Sequence, residues 1–546
     1  MSKRITLNYM DSKITMPVAL TAFLLICAAL LTRIGSLQSY FDYCVPHSIT
    51  QAVNLALDGH KYPIDMTWYW TDMNQDDAGR SPIFTATVYI GIKLFGFTLF
   101  GTRIVGVILS FLTLILIFYT INKFFSRLFS LLFLALLVSS PMYLTIARSG
   151  SIMGLSLSMV AVSLCLTALL FRSRKGVLSD KWMHDWILPV LAGVSTAILP
   201  YGYTITRIIP IVLVLWVWIN VRRLGARRVA VFTASVFAVV SVQIPNLRDS
   251  MKLYFNARGE SIITSIGGRE PGTSALSYIL SRLLRNTQFI INYFLGLNKP
   301  EQFLNVPIAD SFWSPNNVFY PKFLVPFLIA GIIWAVYHWV TKKRFKYIAP
   351  VLFLGITVLP GLLCGTGNPE QSRLSIMVLP AYFLMAYAFY RLFLLCFIWF
   401  GKGMRGVCAS LVGLIFVFTL VYQIHNFFTI DRSPTPEGEI AVQKCLQDLW
   451  NKDGGATMVF QEYAILSEFS YVSFRWMGGA EMEQRINDGS VMLVRYENMD
   501  EIKQKLQDKQ IYAFVTQQDD FTKDRFPELN AYARSEAPNY VLYTRQ

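Results

Sequence analysis

Charged residues are scarce in this chain. They make up 15% of its 546 residues, whereas 54% are hydrophobic and the mean hydropathy is +0.43. Soluble domains carry about a quarter charged residues, so this composition excludes an ordinary soluble protein and is typical of a polytopic membrane protein. The five histidines lack metal-ligand spacing, the seven cysteines carry little information about function, and no internal repeat or low-complexity tract is present.

Long apolar runs dominate the first 424 residues. Windows of about 20 apolar residues recur there, which is the length needed to cross about 30 Å of hydrocarbon. They predict about eleven transmembrane helices, starting near residues 14, 101, 128, 150, 185, 205, 229, 321, 347, 375 and 405. The first run is too long for a signal peptide and many spans follow it, so it is predicted to be the first helix.

The net charge of +15 is distributed as a topology signal. Basic residues gather in alternate connections between the predicted spans, as in Lys342-Lys343-Arg344 and Arg222-Arg223. The positive-inside rule therefore predicts a cytoplasmic N-terminus, and after an odd number of spans the C-terminus lies outside. This pattern explains the charge without a nucleic-acid partner.

Two large loops are predicted outside, over residues 35–81 and 245–320. The second contains an amphipathic helix candidate from Ser274 to Leu295, of a kind that lies at the membrane surface. After residue 424 the pattern changes to that of a small α/β domain, residues 425–546, with strands at Ala456–Gln461, Ile511–Thr516 and Tyr540–Tyr543. This domain has no glycine-rich phosphate loop and no nucleophile elbow, which favours a cap or a partner-binding module.

The first loop begins with Asp42, where the first predicted span ends. Tyr43, a surface helix candidate over residues 48–58, and the turn Arg80-Ser81-Pro82-Ile83 follow. A carboxylate at the membrane boundary suggests chemistry on a molecule that the membrane holds. Together these residues resemble the start of the GT-C glycosyltransferases that use polyprenyl-phosphate sugars, a group that includes protein O-mannosyltransferases and bacterial lipid A aminoarabinose transferases.

The resemblance continues along residues 35–385 in the family's order. Matching segments are Phe95-Gly96 with Thr102-Arg103, Ser139-Ser140-Pro141 with Ala147-Arg148, and residues 368–380 with Arg373 and Leu379-Pro380. Two departures stand out. Tyr43 occupies a position where the family usually has Glu, and residues 149–153 lack the Asp that relatives often carry.

The resemblance implies that a sugar on a lipid phosphate is attacked by an acceptor hydroxyl or amine, with inversion. Asp42 would be the base for the acceptor. Guanidinium groups would stabilise the departing phosphate, and the candidates are Arg80, Arg148, Arg207 and Arg373. Trp68 and Tyr69 would stack on the sugar or the lipid. No cofactor is required because the carrier holds an activated sugar, although Asp76 and Asp77 leave a divalent metal open.

Simpler interpretations exist for the same residues. Asp42 would also fit a solvated helix end, and Trp68 and Tyr69 would fit an interfacial aromatic belt. Arg80 and Arg148 would then pair with loop acids or lipid phosphates.

The sequence thus predicts a polytopic α-helical membrane protein of GT-C type with a small C-terminal α/β domain outside, in a bacterial inner membrane. Its partners would be a polyprenyl-phosphate-linked sugar, a lipid, glycan or protein acceptor, and the bilayer. Three alternatives stay open: a ligase or polymerase of lipid-pyrophosphate glycans, a transporter or flippase of a lipid-linked substrate, and a non-catalytic scaffold.

Overall fold

The computed structural model describes part of the chain, from residue 82 onward. The described residues are 82–96, 99–148, 152–171, 182–202, 206, 208–257, 274–294, 321–363, 374–431, 457–461, 485, 488–494, 499–508, 510–516, 524–537 and 540–545. The first predicted span and the loop over residues 35–81 lie outside them.

Helices account for nearly all of the described chain up to residue 431. They are α1 Pro82–Phe95, α2 Leu99–Phe124, α3 Arg127–Ser139, α4 Pro141–Arg148, α5 Ile152–Leu170, α6 Leu188–Ala197, α7 Ile209–Ile219, α8 Val221–Leu224, α9 Ala226–Ala257, α10 Ala275–Phe294, α11 Val325–Lys342, α12 Phe345–Leu362, α13 Val378–Trp399 and α14 Lys402–Asp431. A π-helical turn, Met183–Ile187, precedes α6, and the 3₁₀ turns Leu199–Tyr201, Lys322–Leu324 and Ser375–Met377 follow α6 and precede α11 and α13.

Six of these helical segments are long and apolar enough to cross a membrane. They are Phe100–Phe124, Met153–Leu170, Met183–Tyr201, Lys322–Lys342, Ser375–Trp399 and Gly403–Phe427. Each predicted span from residue 101 onward begins within four residues of a helical segment. The prediction of a polytopic helical membrane protein is confirmed.

Helices α3, α4, α5 and α13 form the centre of the bundle. Leu136, Ile146, Val160 and Tyr382 are fully enclosed there. Outer helices such as α14 instead expose large apolar side chains, Leu414 and Val421 among them. Inside a bilayer every backbone N–H and C=O needs a hydrogen-bond partner, and a helix satisfies these groups internally. With the backbone satisfied, the apolar side chains that the outer helices expose are suited to contact with lipid.

Local sequence explains where the chain turns around α3 and α4. The Ser126 side chain accepts a hydrogen bond from the Phe129 amide at 3.2 Å and caps α3. At the other end of α3, Ser140 separates it from α4, which begins at Pro141. Proline suits a first helical position because its missing N–H would have no intrahelical partner there, and Ser140 Oγ accepts from the Tyr143 amide at 3.3 Å.

The C-terminal part contains a five-stranded mixed sheet in the order β2-β1-β3-β5-β4. Its elements are β1 Thr457–Gln461, β2 Val491–Val494, α15 Met499–Gln507, β3 Ile511–Thr516, β4 Ala533–Ala537 and β5 Tyr540–Thr544. Strands β2, β1 and β3 are parallel, whereas β5 pairs antiparallel with both β3 and β4. The predicted α/β character is confirmed.

Three details differ from the sequence prediction. Helix α9 continues through Pro245 to Ala257, where the loop over 245–320 was predicted to begin. A membrane helix tolerates an internal proline when neighbouring groups satisfy the freed carbonyl. Helix α14 also continues to Asp431, past the predicted boundary at residue 424. Strands β2 and β4 were missed, because one is four residues long and the other, Ala-Arg-Ser-Glu-Ala, has little β propensity.

Candidate functional site

A crevice lies where α1, α2, α4 and α5 meet at one end of the bundle, called here the crevice end. Its lining residues are Phe84, Thr87, Thr102, Gly106, Ile146, Ala147, Gly154 and Leu155. The space between these side chains holds no more than about one water molecule. The described residues therefore form a floor or wall of a site rather than a closed pocket.

Helices α4 and α5 approach each other closely beside this crevice. A Cβ on Gly154 would lie 2.4 Å from the Ile146 carbonyl oxygen, so only glycine fits at this position. Ile146 and Ala147 are buried, and Arg148 is the last residue of α4. The Gly154 contact therefore fixes the backbone that carries one of the predicted arginines.

A second contact connects the same region to α13. The Ser140 hydroxyl lies beside the Tyr382 hydroxyl, which donates a hydrogen bond to Gln423 Oε1 at 3.1 Å. All three side chains are buried. These contacts hold the junction of α3 and α4 against α13 and α14.

The Ser140–Tyr382 contact also indicates how far two other residues, Arg148 and Leu374, lie along the bundle. Arg148 follows Ser140 by eight residues and Leu374 precedes Tyr382 by eight residues. At 1.5 Å per α-helical residue, Arg148 lies about 12 Å along α4 from Ser140. The segment from Leu374 to Tyr382 includes the 3₁₀ turn Ser375–Met377, whose rise is about 2.0 Å per residue, so it spans about 13–14 Å. Arg148 and the fully buried Leu374 therefore lie at similar distances from the contact, and Arg373 lies outside the described residues.

Arg103 is a further cation at the crevice end. It follows Thr102 in the first turns of α2 and is only 3% exposed. A buried arginine in an apolar helix is costly, and such residues mark functional sites. Arg103 belongs to the motif Thr102-Arg103 but was not predicted as a site residue. The signal in the sequence that points to it is a cation just inside an apolar span.

The turn after α6 reaches the beginning of α5. A Cβ on Gly202 would lie 2.8 Å from both Ser156 Oγ and Thr206 Oγ1, and the Thr206 hydroxyl donates to the Leu199 carbonyl. Ser156 is in the second turn of α5. Thr206 therefore lies near the beginning of α5, while Arg207, which follows it, lies outside the described residues.

Most of the predicted site residues lie outside the described residues. These are Asp42, Trp68, Tyr69, Arg80, Arg207 and Arg373, together with the acids Asp76 and Asp77. Arg148 is placed by its backbone alone. Within the described ranges, no group of three His, Cys, Asp or Glu side chains is arranged to hold a metal ion. The assignments of all seven site residues therefore stay predictions.

Comparison with known proteins identifies the fold. No family model and no curated protein matches the sequence. The apo structure of ArnT from Cupriavidus metallidurans matches with a TM-score of 0.56 at 11% identity, over 96% of this chain and 97% of ArnT. ArnT bound to undecaprenyl phosphate matches over the same shares with a TM-score of 0.57 at 10% identity. The chain has the GT-C fold.

An archaeal GT-C protein is similar as well. AglB of Archaeoglobus fulgidus, an oligosaccharyltransferase in complex with an inhibitory peptide and a dolichol-phosphate, matches with a TM-score of 0.52 at 11% identity. The match covers 98% of this chain and 75% of AglB. At such identities the likeness is one of fold, which the sequence predicted from short motifs.

Proposed function

We propose that this protein is an inverting glycosyltransferase that moves a sugar from a polyprenyl-phosphate carrier to a lipid, glycan or protein acceptor. The supporting observation is that α4 ends at Arg148 directly after Ile146 and Ala147, which line the crevice. In this proposal the guanidinium groups of Arg148 and Arg373 hold the phosphate by charge-assisted hydrogen bonds. The fold likeness to ArnT, which has been captured with undecaprenyl phosphate, supports the same kind of donor.

The charge pattern supports placing the crevice end outside the cytoplasm. The connection between α2 and α3 carries Lys123 and Arg127, and that between α11 and α12 carries Lys342 to Lys346. Because α2 begins at the crevice and crosses the bundle, the α2–α3 connection lies at the opposite end. Basic connections lie in the cytoplasm, so the site would face the outside of a bacterial inner membrane.

The proposed chemistry joins the acceptor to the anomeric carbon. An acceptor hydroxyl or amine attacks this carbon, the bond from carbon to phosphate oxygen breaks, and its electron pair leaves with the lipid phosphate. Asp42 takes the acceptor proton. Arg80, Arg148, Arg207 and Arg373 stabilise the charge that develops on the phosphate. Trp68 and Tyr69 stack on the sugar.

The catalytic domain would extend to the end of α14, because α14 continues to Asp431 as one helix. The mixed sheet that follows would be a cap or a partner-binding module, because the sequence after residue 424 contains no glycine-rich phosphate loop and no nucleophile elbow.

A second candidate is a transferase that uses a lipid-pyrophosphate glycan. The fold likeness to the oligosaccharyltransferase AglB supports transfer of a glycan, although the dolichol-phosphate in the AglB complex carries one phosphate. The two candidates differ in the lipid released, which has one phosphate for the first and two for the second. Mass spectrometry of the released lipid separates them.

The function is tested by measuring the lipid-linked sugars of cells that carry Asp42→Asn in place of the wild-type chain. The proposal predicts that a polyprenyl-phosphate sugar accumulates while the variant protein stays at normal abundance in the membrane. Asp58→Asn, in the same loop, is the matched control and leaves the lipid pool unchanged. Normal product with Asp42→Asn would exclude Asp42 as the base, and an unchanged lipid pool after complete deletion would reject the transferase.

A further inference from the structure

The end of the bundle opposite the crevice holds a group of cations packed on aromatic rings. Lys346 Nζ donates a hydrogen bond to the Phe124 carbonyl at 2.7 Å, at the end of α2. The same ammonium group lies 4.8 Å from the centroid of the Phe125 ring and 5.2 Å from that of Tyr347. Lys342 Nζ lies 5.4 Å from the Tyr347 centroid. Two ammonium groups therefore share one aromatic ring.

Arg391 of α13 adds a third cation to this group. Its charge lies within electrostatic reach of Lys342, His338 and Tyr387. Its Nε atom is buried and makes no hydrogen bond in the described structure. A buried donor that is left unsatisfied is costly, and more so when it is charged. Arg391 Nε is therefore a charged donor without an acceptor in the described structure, and it lies near the Lys342 ammonium group.

Tyr387 supplies a neutral donor next to Arg391. His338 Nδ1 lies 2.8 Å from the Trp334 carbonyl oxygen and 3.0 Å from the Tyr387 hydroxyl. A carbonyl only accepts, so the hydrogen-bond network assigns the ring proton to Nδ1. The Tyr387 hydroxyl then accepts from that N–H and keeps its own proton to donate elsewhere.

Acidic side chains are missing from the helices that carry these cations. The segments 311–369 and 371–430 contain no Asp and no Glu. Together they include all of α11, α12 and α13. Between residues 82 and 431, Asp185 is the one acidic residue whose side chain the structure describes. It pairs with Arg228 at 2.9 Å. The described part of the bundle thus offers Arg391 and Lys342 no carboxylate.

The position of this group of cations favours an anion from the membrane itself. Lys342 is the last residue of α11 and is exposed, so it lies where a span ends. Arginine and lysine side chains at such positions extend to the interface, where lipid phosphates lie. Basic pockets between helices at the cytoplasmic surface bind the headgroups of anionic lipids.

We propose that the group formed by Lys342, Tyr347, Tyr387 and Arg391 binds the phosphate of an anionic glycerophospholipid of the cytoplasmic leaflet. Arg391 and Lys342 neutralise the phosphate, and the Tyr387 hydroxyl donates to one of its oxygens. This site lies at the other end of the bundle from the crevice. It depends on the proposed orientation and not on the proposed reaction.

The test is native mass spectrometry of the full-length protein released from mixed micelles of phosphatidylcholine and phosphatidylglycerol. Arg391→Gln and Lys342→Gln should each lower the occupancy of bound phosphatidylglycerol about tenfold, the change expected when a charge-assisted hydrogen bond is lost, and Arg391→Lys should restore part of it. Arg405→Gln is the matched control, because Arg405 is a cation of the next connection whose Nε donates to the Phe400 carbonyl at 2.8 Å. It should leave the occupancy unchanged.

Lys342→Gln keeps the proposal testable if Arg391→Gln does not fold, because the Lys342 side chain is exposed. Equal loss of phosphatidylglycerol with Arg405→Gln would show attraction by net charge alone and would overturn the proposal. Competition by inorganic phosphate would show a soluble anion as the occupant, and it would overturn the lipid assignment. Unchanged occupancy in folded Lys342→Gln and Arg391→Gln would overturn the site.

Discussion

The Ser140 hydroxyl lies beside the Tyr382 hydroxyl in the interior of the bundle, where α3 and α4 meet α13. From this contact α4 runs to Arg148, while the chain before Tyr382 runs back to Leu374. Arg148 and Leu374 are each eight residues from this contact, although more than 200 residues of sequence separate them. The contact between the Ser140 and Tyr382 hydroxyls thereby connects the two segments that lead to the residues proposed to bind the donor phosphate.

The first prediction concerns the donor phosphate. Arg148→Gln and Arg373→Gln should each raise the Kd for polyprenyl phosphate roughly tenfold to hundredfold, because each removes a charge-assisted hydrogen bond. Arg207→Gln should have a smaller effect than Arg373→Gln. Binding to purified protein in detergent measures these Kd values.

Arg282→Gln is the control for these variants. Arg282 is exposed on α10, where its guanidinium lies 5.5 Å from the Tyr278 ring centroid, and its loss should leave the Kd unchanged. Equal and negligible effects of all four substitutions would remove the arginines from the phosphate site.

The second prediction concerns the approach of α4 to α5. Gly154→Ala introduces a Cβ 2.4 Å from the Ile146 carbonyl oxygen, so we expect a loss of about 1–3 kcal/mol from overpacking, seen as a lower Tm. Donor affinity should fall as well, because the end of α4 moves. In Gly413→Ala the new Cβ meets no atom within 4 Å, so the Tm should hold or rise. Similar Tm changes in both variants would contradict the packing argument.

The third prediction concerns Arg103. Arg103→Lys keeps the positive charge but loses the planar fork of donors, so we expect about a tenfold loss of transfer. The Tm of the Lys variant should stay close to that of the wild type, which separates a role at the donor from a role in folding. Full transfer by folded Arg103→Gln would show that this cation is not needed at the site.

The fourth prediction concerns pH and the C-terminal sheet. Burial raises the pKa of Tyr532, whose hydroxyl donates to the Ile511 carbonyl at 3.0 Å. The folded state therefore binds this proton more tightly than the unfolded state, and the resulting stabilisation is complete below about pH 10 and is lost as pH rises through the folded pKa. Tyr532→Phe should lower the free energy of unfolding by about 1 kcal/mol at neutral pH.

The difference between wild type and Tyr532→Phe should shrink in alkaline solution, as measured by unfolding at several pH values. Tyr512→Phe, in β3, is the comparison. A difference that stayed constant from pH 8 to pH 11 would contradict the assignment.

Hydrophobic windows predicted the helices well because crossing a bilayer requires a length that composition reveals directly. Strands such as Ile511–Thr516 were also predicted, since buried apolar runs between polar segments are distinctive. Strand β4 was not, because its residues gain their conformation from pairing with β5 rather than from propensity. The extent of α9 past Pro245 was not predicted, because proline usually ends a helix and no local signal in the sequence indicates that this one continues.

The site shows the same limit. Arg148 was selected from a short motif, but its level relative to Leu374 depends on the Ser140 and Tyr382 contact, which joins distant parts of the chain. Arg391 was not selected at all, because a single arginine in an apolar helix has no sequence motif around it. Its significance comes from Lys342 and Tyr387 beside it.

The most direct measurement of the proposed transfer uses membranes from cells that lack the protein, which contain the accumulated donor and the unmodified acceptor. Purified protein in liposomes is fused with them, and mass spectrometry follows the free polyprenyl phosphate. Our account predicts that this lipid rises as the sugar-linked form falls with wild-type protein, and that Asp42→Asn abolishes the change. No release of polyprenyl phosphate by the folded wild-type protein, or equal release by Asp42→Asn, would contradict it.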